Sequence, residues 1–453
     1  MTRPDLTVSG PPAPPVFDGA ASRDRPYLQP DVETASRQQI DQWQQESLPE
    51  AIDFALARSP FISDLWAAAG VTASDVRTTE QLRLRAPAFT QSDVTRRAAA
   101  TADPFGGLLS LDRSEISLIA ATSGTTGVPL ALPQYPGNPR SVATSRDLWD
   151  EGLRPGDTVV RMSTAARTGF QYPGDDLLAE LGVMTVKLDG HPSNAPALIA
   201  ACRQFGPVGM SIMTRPLLME MEALATAQGF DLAQALQSFR SVTFGGETLD
   251  TALRDRLTSL FGRVRSQTSL GNTIAAVECR QGDGGHTWED LVHVEVRDPD
   301  THELVADGEI GELIVTTLQE RAMPLLRFRT EDLVRYTSQR CGCGRTHGRI
   351  WTLGRLGDGV SIAGKTVLPA TLFPVVGRVE EARDGIFQFI VEDDGSVALR
   401  VGCRVGRDSD VVRRELTQHV GEFLGVDCPV TMVDPDDIIK TGSGIKFPRI
   451  VRR

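Results

Sequence analysis

Thr122-Ser123-Gly124-Thr125-Thr126-Gly127-Val128-Pro129 is the stretch on which the reading of this chain turns. It sets four hydroxyl side chains around Gly124 and Gly127, directly after the apolar run Ile116-Ser117-Leu118-Ile119-Ala120-Ala121. Glycine lets successive backbone N–H groups turn toward one point, and serine and threonine add O–H donors, so the composition suits a phosphate cradle. No Gly-Lys-Ser/Thr closes it, which excludes a Walker A loop. The rival reading is an ordinary turn, because the same residues fill loops for conformational reasons.

On both sides of this loop the apolar pattern assigns structure. Upstream, Ile40, Leu48, Ile52, Ala55, Ile62 and Leu65 recur every three or four residues, which predicts helices over 36–70. Downstream, strands at Val159-Val160, 183–188, 209–212 and 242–244 alternate with helices at 195–205 and 217–227, an α/β pattern. From about 290 the texture changes. Val292-His293-Val294-Glu295-Val296 and Glu312-Leu313-Ile314-Val315 alternate apolar with polar, as half-exposed strands do. Strands at 387–391 and 397–401 around Asp393-Asp394-Gly395 predict a hairpin, followed by an amphipathic helix at 411–424. The expected architecture is α/β: a large layered N-terminal domain over 31–355 with a β-rich subdomain near 290–350, and a small mobile α+β C-terminal domain over 356–453. Residues 1–30, rich in proline and polar side chains, read as a flexible arm.

Composition bounds the partners. The 453 residues carry 47 Lys+Arg against 59 Asp+Glu, a formal −12, which disfavours a nucleic-acid partner. No apolar run approaches the roughly 18 residues of a spanning helix, and no signal peptide opens the chain, so no membrane partner and a cytoplasmic location are expected. Six sparse cysteines exclude a disulfide framework. Four residues form a candidate closed metal site instead: Cys279 and His286, then Cys341-Gly342-Cys343. Thiolates with one imidazole are what tetrahedral zinc prefers, and with no open position the metal would be structural. His347 is an alternative fourth ligand, and four unrelated residues are the plainer alternative.

Later segments keep an order. Phe244-Gly245-Gly246-Glu247, Gly308-Glu309-Ile310-Gly311-Glu312-Leu313, Pro324-Leu325-Leu326-Arg327-Phe328-Arg329-Thr330-Glu331-Asp332, Gly354-Arg355-Leu356-Gly357-Asp358 and Ser443-Gly444-Ile445-Lys446 follow the hydroxyl loop in turn. With that loop they resemble the adenylate-forming superfamily, most of all the phenylacetate–CoA ligases, from about residue 35 to the C-terminus. The resemblance implies activation of an aromatic or other small carboxylic acid by ATP and Mg2+ as an acyl-adenylate, then transfer to coenzyme A. Another acceptor, such as a carrier protein or an amine, and a weakly catalytic nucleotide-binding protein are the alternatives.

The resemblance also implies site residues. Ser123, Gly124, Thr125, Thr126 and Gly127 would hold phosphates. Gly245, Gly246, Glu247, Gly271, Asn272, Thr273, Asp332 and Arg355 would contact the remainder of ATP, Asp332 at the ribose. Lys446 would be catalytic, bridging the attacking carboxylate and the α-phosphate, with a hinge near Gly357 and Asp358. Gly444-Ile445-Lys446-Phe447 fits a Gly-Gly-Lys-Phe-type ending, whereas the commoner Ser-Gly-Lys pattern would put Ile445 at the lysine's place. Phe170, Tyr172, Met213 and Phe244 are candidate pocket residues, or equally core side chains. The chain departs from the family at Leu270-Gly271-Asn272-Thr273-Ile274, where Tyr-Gly-x-Thr-Glu is usual, and at Val128, where lysine is common. Ile274 cannot ligate magnesium. Glu278 or Glu247, or the phosphates and water, would have to serve instead.

Overall fold

In a computed structural model, the structure describes residues 25–121, 131–162, 172–362, 365–403, 410–441 and 447–453. These divide into two compact units. One is drawn from Met1–Gly156, Ala165–Val183 and Thr268–Trp351, the other from Asp157–Thr164, Met184–Gln267 and Thr352–Arg453.

The first unit opens with the predicted helices, now resolved as Arg37–Arg58 and Pro60–Ala68. Ser36 and Gln39 form a capping box at the start, answering N–H groups that have no partner within the helix. Ser59 separates the two helices, and its hydroxyl accepts from Ile62 N–H at 3.3 Å. Leu48, Ile52, Phe61, Ile62 and Trp66 are buried together against Phe89, Leu325 and Phe328, and this apolar burial fastens the helices to the β-rich part. There, Ile310–Thr317 pairs antiparallel with both Val292–Arg297 and Phe328–Thr337. Gly285–His286 pairs with Ile274–Glu278 and with the start of Arg349–Arg355.

Residues 25–29 depart from the sequence reading, which placed them in the flexible arm. Trp149 Nε1 donates to Arg25 O at 3.0 Å, Tyr27 Oη to Cys343 O at 2.6 Å and Arg146 Nε to Gln29 Oε1 at 2.8 Å. Their low apolar content concealed anchoring that is polar and long-range.

The second unit carries the parallel α/β sheet. Its strands run in the order Met184–Leu188, Thr158–Met162, Gly209–Met213, Ser241–Gly245 and Arg263–Leu270. Helices Ala195–Phe205, Arg215–Gln228 and Thr251–Phe261 connect them. The same unit holds a four-stranded sheet in the order Val430–Val433, Val397–Gly402, Phe387–Val391 and Ile450–Arg452. Helix Asp410–Leu424 buries Val412, Leu416 and Val420 in the core it shares with Phe387, Phe389 and Leu399. The predicted hairpin closes with Gly395 at φ 83°, a conformation glycine adopts without steric cost. Among the described residues no helix is long and apolar enough to cross a membrane.

One ion pair of the first unit is wholly interior. Arg146 Nη1 and Nη2 donate to the two carboxylate oxygens of Asp290 at 2.9 and 2.8 Å, and both side chains are 0% exposed. Arg146 also lies 4.9 Å over the Trp288 ring. Burial pushes Asp290 toward neutrality, but Arg146 outweighs it and holds the carboxyl below its ordinary value of 3.8. A depressed folded value means the pair's contribution is complete above the unfolded pKa and is lost as pH falls through the folded one. Asp290→Asn leaves Arg146 buried and uncompensated. It is expected to cost about 3–5 kcal/mol in urea unfolding at pH 7, with the difference from the parent shrinking below about pH 4.

Candidate functional site

Strands Leu118–Ala121 and Ala131–Gln134 pair antiparallel, with Ala121 opposite Ala131. They bracket 122–130, so Ser123, Gly124, Thr125, Thr126 and Gly127 lie outside the described residues, as do Phe170 and Lys446. Just beyond the second strand, Asn138 caps helix Pro139–Glu151 by accepting from Arg140 N–H at 2.8 Å. The Arg140 side chain, 4% exposed, reaches across to the segment Gly271-Asn272-Thr273. Its Nε and Nη2 donate to the carbonyls of Thr273 and Asn272, each at 2.5 Å. That turn is tight. Gly271 and Asn272 have φ 59° and 61°, and a Cβ on Gly271 would sit 2.8 Å from Leu325 Cδ1.

Gln134, Asn138, Arg140, Asn272, Thr273 and Glu320 help line a cavity of about 30 Å³ behind this turn, space for about one water molecule. Burial lowers the Arg140 pKa to about 10 despite the attraction of Glu320. Burial also raises Glu320, against backbone N–H bonds from Ala322 and Met323 and the charge of Arg140. Sequence reading had no means of singling out Arg140 and Glu320. Neither belongs to a motif, and their type is common on surfaces.

Two departures from the family pattern prove to be core residues. Leu270 and Ile274 are 0% and 1% exposed and pack with Ala276, Leu313, Val315 and Val334. Leu270 therefore supports the turn from beneath. Asp332, half-buried on strand Phe328–Thr337, has its N–H bonded to Thr330 Oγ1 at 3.1 Å. Tyr172 opens helix Tyr172–Glu180.

In the second unit, Gly245 ends strand Ser241–Gly245, and Gly246 turns the chain at φ 97° to present Glu247. Arg449 Nη2 donates to Glu247 Oε2 at 2.5 Å, and Arg215 Nε lies 3.3 Å from the same oxygen. Arg355 is exposed at the end of strand Arg349–Arg355. Burial pushes the nearby Asp358 carboxyl upward, opposed by Arg355. Met213 and Phe244, offered as pocket residues, are both 0% exposed within the core formed with Val160, Leu217, Val242 and Phe261. Strand alternation points them into the layer between sheet and helices, so they are packing residues.

The four candidate ligands come together. The donor atoms of Cys279, His286, Cys341 and Cys343 all lie within 4.8 Å of one another, and all four residues are buried. Metal–sulfur and metal–nitrogen bonds of about 2.3 and 2.05 Å in a tetrahedron imply S···S and S···N edges of about 3.8 and 3.6 Å. Cys279 Sγ to Cys341 Sγ is 3.7 Å, and Cys343 Sγ to His286 Nε2 is 3.5 Å. His286 Nδ1 is 3.1 Å from the His347 carbonyl, which can only accept, so Nδ1 carries a proton and Nε2 is the atom that faces the cluster. Backbone N–H groups of Gln281, Cys343 and Arg345 each donate to a sulfur at 3.5 Å. Hydrogen bonds among the thiols hold Cys343 far below the usual thiol range and push Cys279 far above it. Burial lowers His286, but bonds to Cys341 and Cys343 outweigh it and raise it to about 9. His347 stays outside this set. Its Nδ1 accepts from Glu289 N–H at 2.9 Å and its Nε2 donates to Val32 O at 3.0 Å.

No family model matches the chain. It is 28% identical over 459 residues to a phenylacetate-coenzyme A ligase of Thermus thermophilus, covering 93% of this chain and 98% of that one. It is 29% identical over 359 residues to the phenylacetate-coenzyme A ligase of Escherichia coli, covering 77% and 78%. A crystal structure of 2-hydroxyisobutyryl-CoA ligase in the postadenylation state, in complex with 2-HIB-AMP, superposes with a TM-score of 0.85 at 22% identity, covering 96% and 95%.

The burial of Ile274 yields a test. Restoring the glutamate usual at this position would place a carboxylate among Leu313, Val315 and Val334. Ile274→Glu is expected to destabilise the protein by roughly 3 kcal/mol or more, read as a lower urea midpoint. An unchanged midpoint would show that the position can reach solvent.

Proposed function

We propose, from the premise that the chain is a phenylacetate–CoA ligase-like enzyme of the adenylate-forming superfamily, that it activates a small carboxylic acid with ATP and passes the acyl group to coenzyme A. What carries this reading is the near end-to-end similarity to a named ligase, over 93% of this chain, together with the tie that Arg140 makes between the flank of the hydroxyl loop and Gly271-Asn272-Thr273.

The chemistry asks for positioning and for stabilisation of charge on transferred phosphates. Donors of 123–127 would take the phosphates and Asp332 the ribose hydroxyls. Arg140, by holding both carbonyls of the turn, fixes the direction in which the Asn272 and Thr273 side chains and amides face. Lys446 would meet the carboxylate oxygen as it attacks the α-phosphorus and pyrophosphate leaves. The thiol of coenzyme A would then attack the acyl carbon with AMP as leaving group. Magnesium would rest on the phosphates and water or on Glu278, because Ile274 is core and Glu247 is engaged by Arg449 and Arg215. The C-terminal module beyond about 355 is the part that would reorient between the two steps.

The test is pyrophosphate release with ATP, magnesium and a panel of aryl and aliphatic acids, without coenzyme A. Acid-dependent release that falls by about a hundredfold or more in Lys446→Ala is expected, the scale of losing a transition-state contact. Release that ignores the acid would leave only an ATPase, and no release at all would remove the ligase reading.

Cys279, His286, Cys341 and Cys343 would hold structural zinc, which supplies cross-linking and no open coordination position. Metal analysis should find one zinc per chain, absent in Cys341→Ser, whose melting temperature falls with it. A Cys341→Ser protein that retains the metal would remove this assignment.

A further inference from the structure

We infer that Arg449 is a positioning residue for the first half-reaction. Its ion pair with Glu247 latches the C-terminal α+β module to the turn that follows strand Ser241–Gly245. The inference rests on the adenylation reading above and adds to it the contact that sets when the module is held.

Arg449 is gripped from both sides. On the module's side, its Nη1 donates to Gly385 O at 2.6 Å and Phe387 O at 3.2 Å, and its guanidinium lies over the rings of Phe373, Phe387 and Phe447 at 4.9, 4.7 and 4.4 Å. Its Nη2 reaches out to Glu247 Oε2 at 2.5 Å. The side chains of Arg449 and Glu247 are only 12% and 19% exposed, so the pair is poorly screened by water. A guanidinium keeps its charge at neutral pH even when buried, and Glu247 is the carboxylate that answers it. Arg215 reinforces the contact from helix Arg215–Gln228. It bonds Asp250 Oδ2 at 2.5 Å and Asp384 O at 3.2 Å, and stacks on Phe373 at 4.3 Å. Arg256 adds a bond to Asp384 Oδ1 at 2.8 Å.

Two sequence relations give this contact a functional direction. Arg449 follows Lys446 by three residues, and Glu247 closes the Gly245-Gly246-Glu247 segment read as nucleotide-contacting. When the latch is made, the chain carrying Lys446 is tied to that segment. When Lys446 withdraws for the second step, Arg449 must release Glu247. Breaking the pair should therefore harm adenylation and spare thioester formation, whereas loss of a merely structural contact would lower both.

The experiment uses the full chain with Arg449→Met, Arg449→Lys and Glu247→Gln, and Arg453→Met as a control. The first half-reaction is read as acid-dependent ATP–pyrophosphate exchange, the second as thioester formation from supplied acyl-adenylate and coenzyme A. Arg449→Met should lose about tenfold or more in exchange and keep the second step within about threefold, and adding it to Glu247→Gln should lower exchange no further than Glu247→Gln does alone. Arg449→Lys, which keeps the charge and loses the fork, should fall between. Equal losses in both steps, or intact exchange in both variants, overturns the latch. If the wild-type protein catalyses no exchange with any acid, the ligase reading fails, and amide hydrogen exchange decides the latch. Exchange at 245–250 should quicken by about tenfold in Arg449→Met while strand Val397–Gly402 stays protected. Unchanged exchange at 245–250 overturns it. Arg449→Lys, which keeps the charge and most of the volume, serves should Arg449→Met not fold.

Discussion

A buried guanidinium has to be met where it stands, because arginine keeps its charge at neutral pH and offers its donors in a rigid plane. This fold applies that constraint repeatedly. Arg140 fixes two carbonyls of the Gly271–Thr273 turn, and Arg146 closes on Asp290 with both groups fully interior. Arg345 Nε donates to Glu33 Oε2 and its Nη1 to Asp150 Oδ1, each at 2.8 Å, which binds the N-terminal segment and helix Pro139–Glu151 to the cysteine knuckle. Arg449 and Arg215 converge on Glu247. Apolar burial makes the cores, but it is non-directional. The arginines supply direction at the places where a loop or turn must hold one orientation.

The Cys/His cluster belongs to the same scheme with the signs exchanged. Three sulfurs and one imidazole are gathered in the interior, with knuckle N–H groups donating to the sulfurs. The donor spacing suits a tetrahedral cation. Tyr27, Arg280 and Arg345 all bond the loop that carries Cys341 and Cys343. The packing of this loop therefore extends as far as residue 27, in the segment that composition alone assigned to a flexible arm.

Site residues differ in how far a sequence reveals them. Gly271 was singled out only through the family pattern at 270–274, and the structure adds that its turn has positive φ in a space closed by Leu325. The four clustered Cys and His residues were legible because their chemistry is rare and shared. Met213 and Phe244 misled, since an aromatic or thioether side chain suits a pocket wall and a core equally, and only the side of the strand distinguishes them. Leu270 and Ile274 were read as losses from a nucleotide site. In the structure they are gains to the core beneath it.

By itself the sequence determined the elements. Helix Ala195–Phe205 and strand Phe387–Val391 occupy the residues that periodicity assigns, because local pattern and core burial agree there. It also singled out the hydroxyl loop, the glycine turns and the cysteines as candidate sites. Tertiary structure decided which polar groups answer one another. Arg140 with the carbonyls of Asn272 and Thr273, 132 and 133 positions away, and Arg449 with Glu247, 202 positions away, leave no trace in local pattern. The physical reason is that an arginine reads the same on a surface as in an interior, until the fold removes the water and leaves it only the fixed acceptors it can reach.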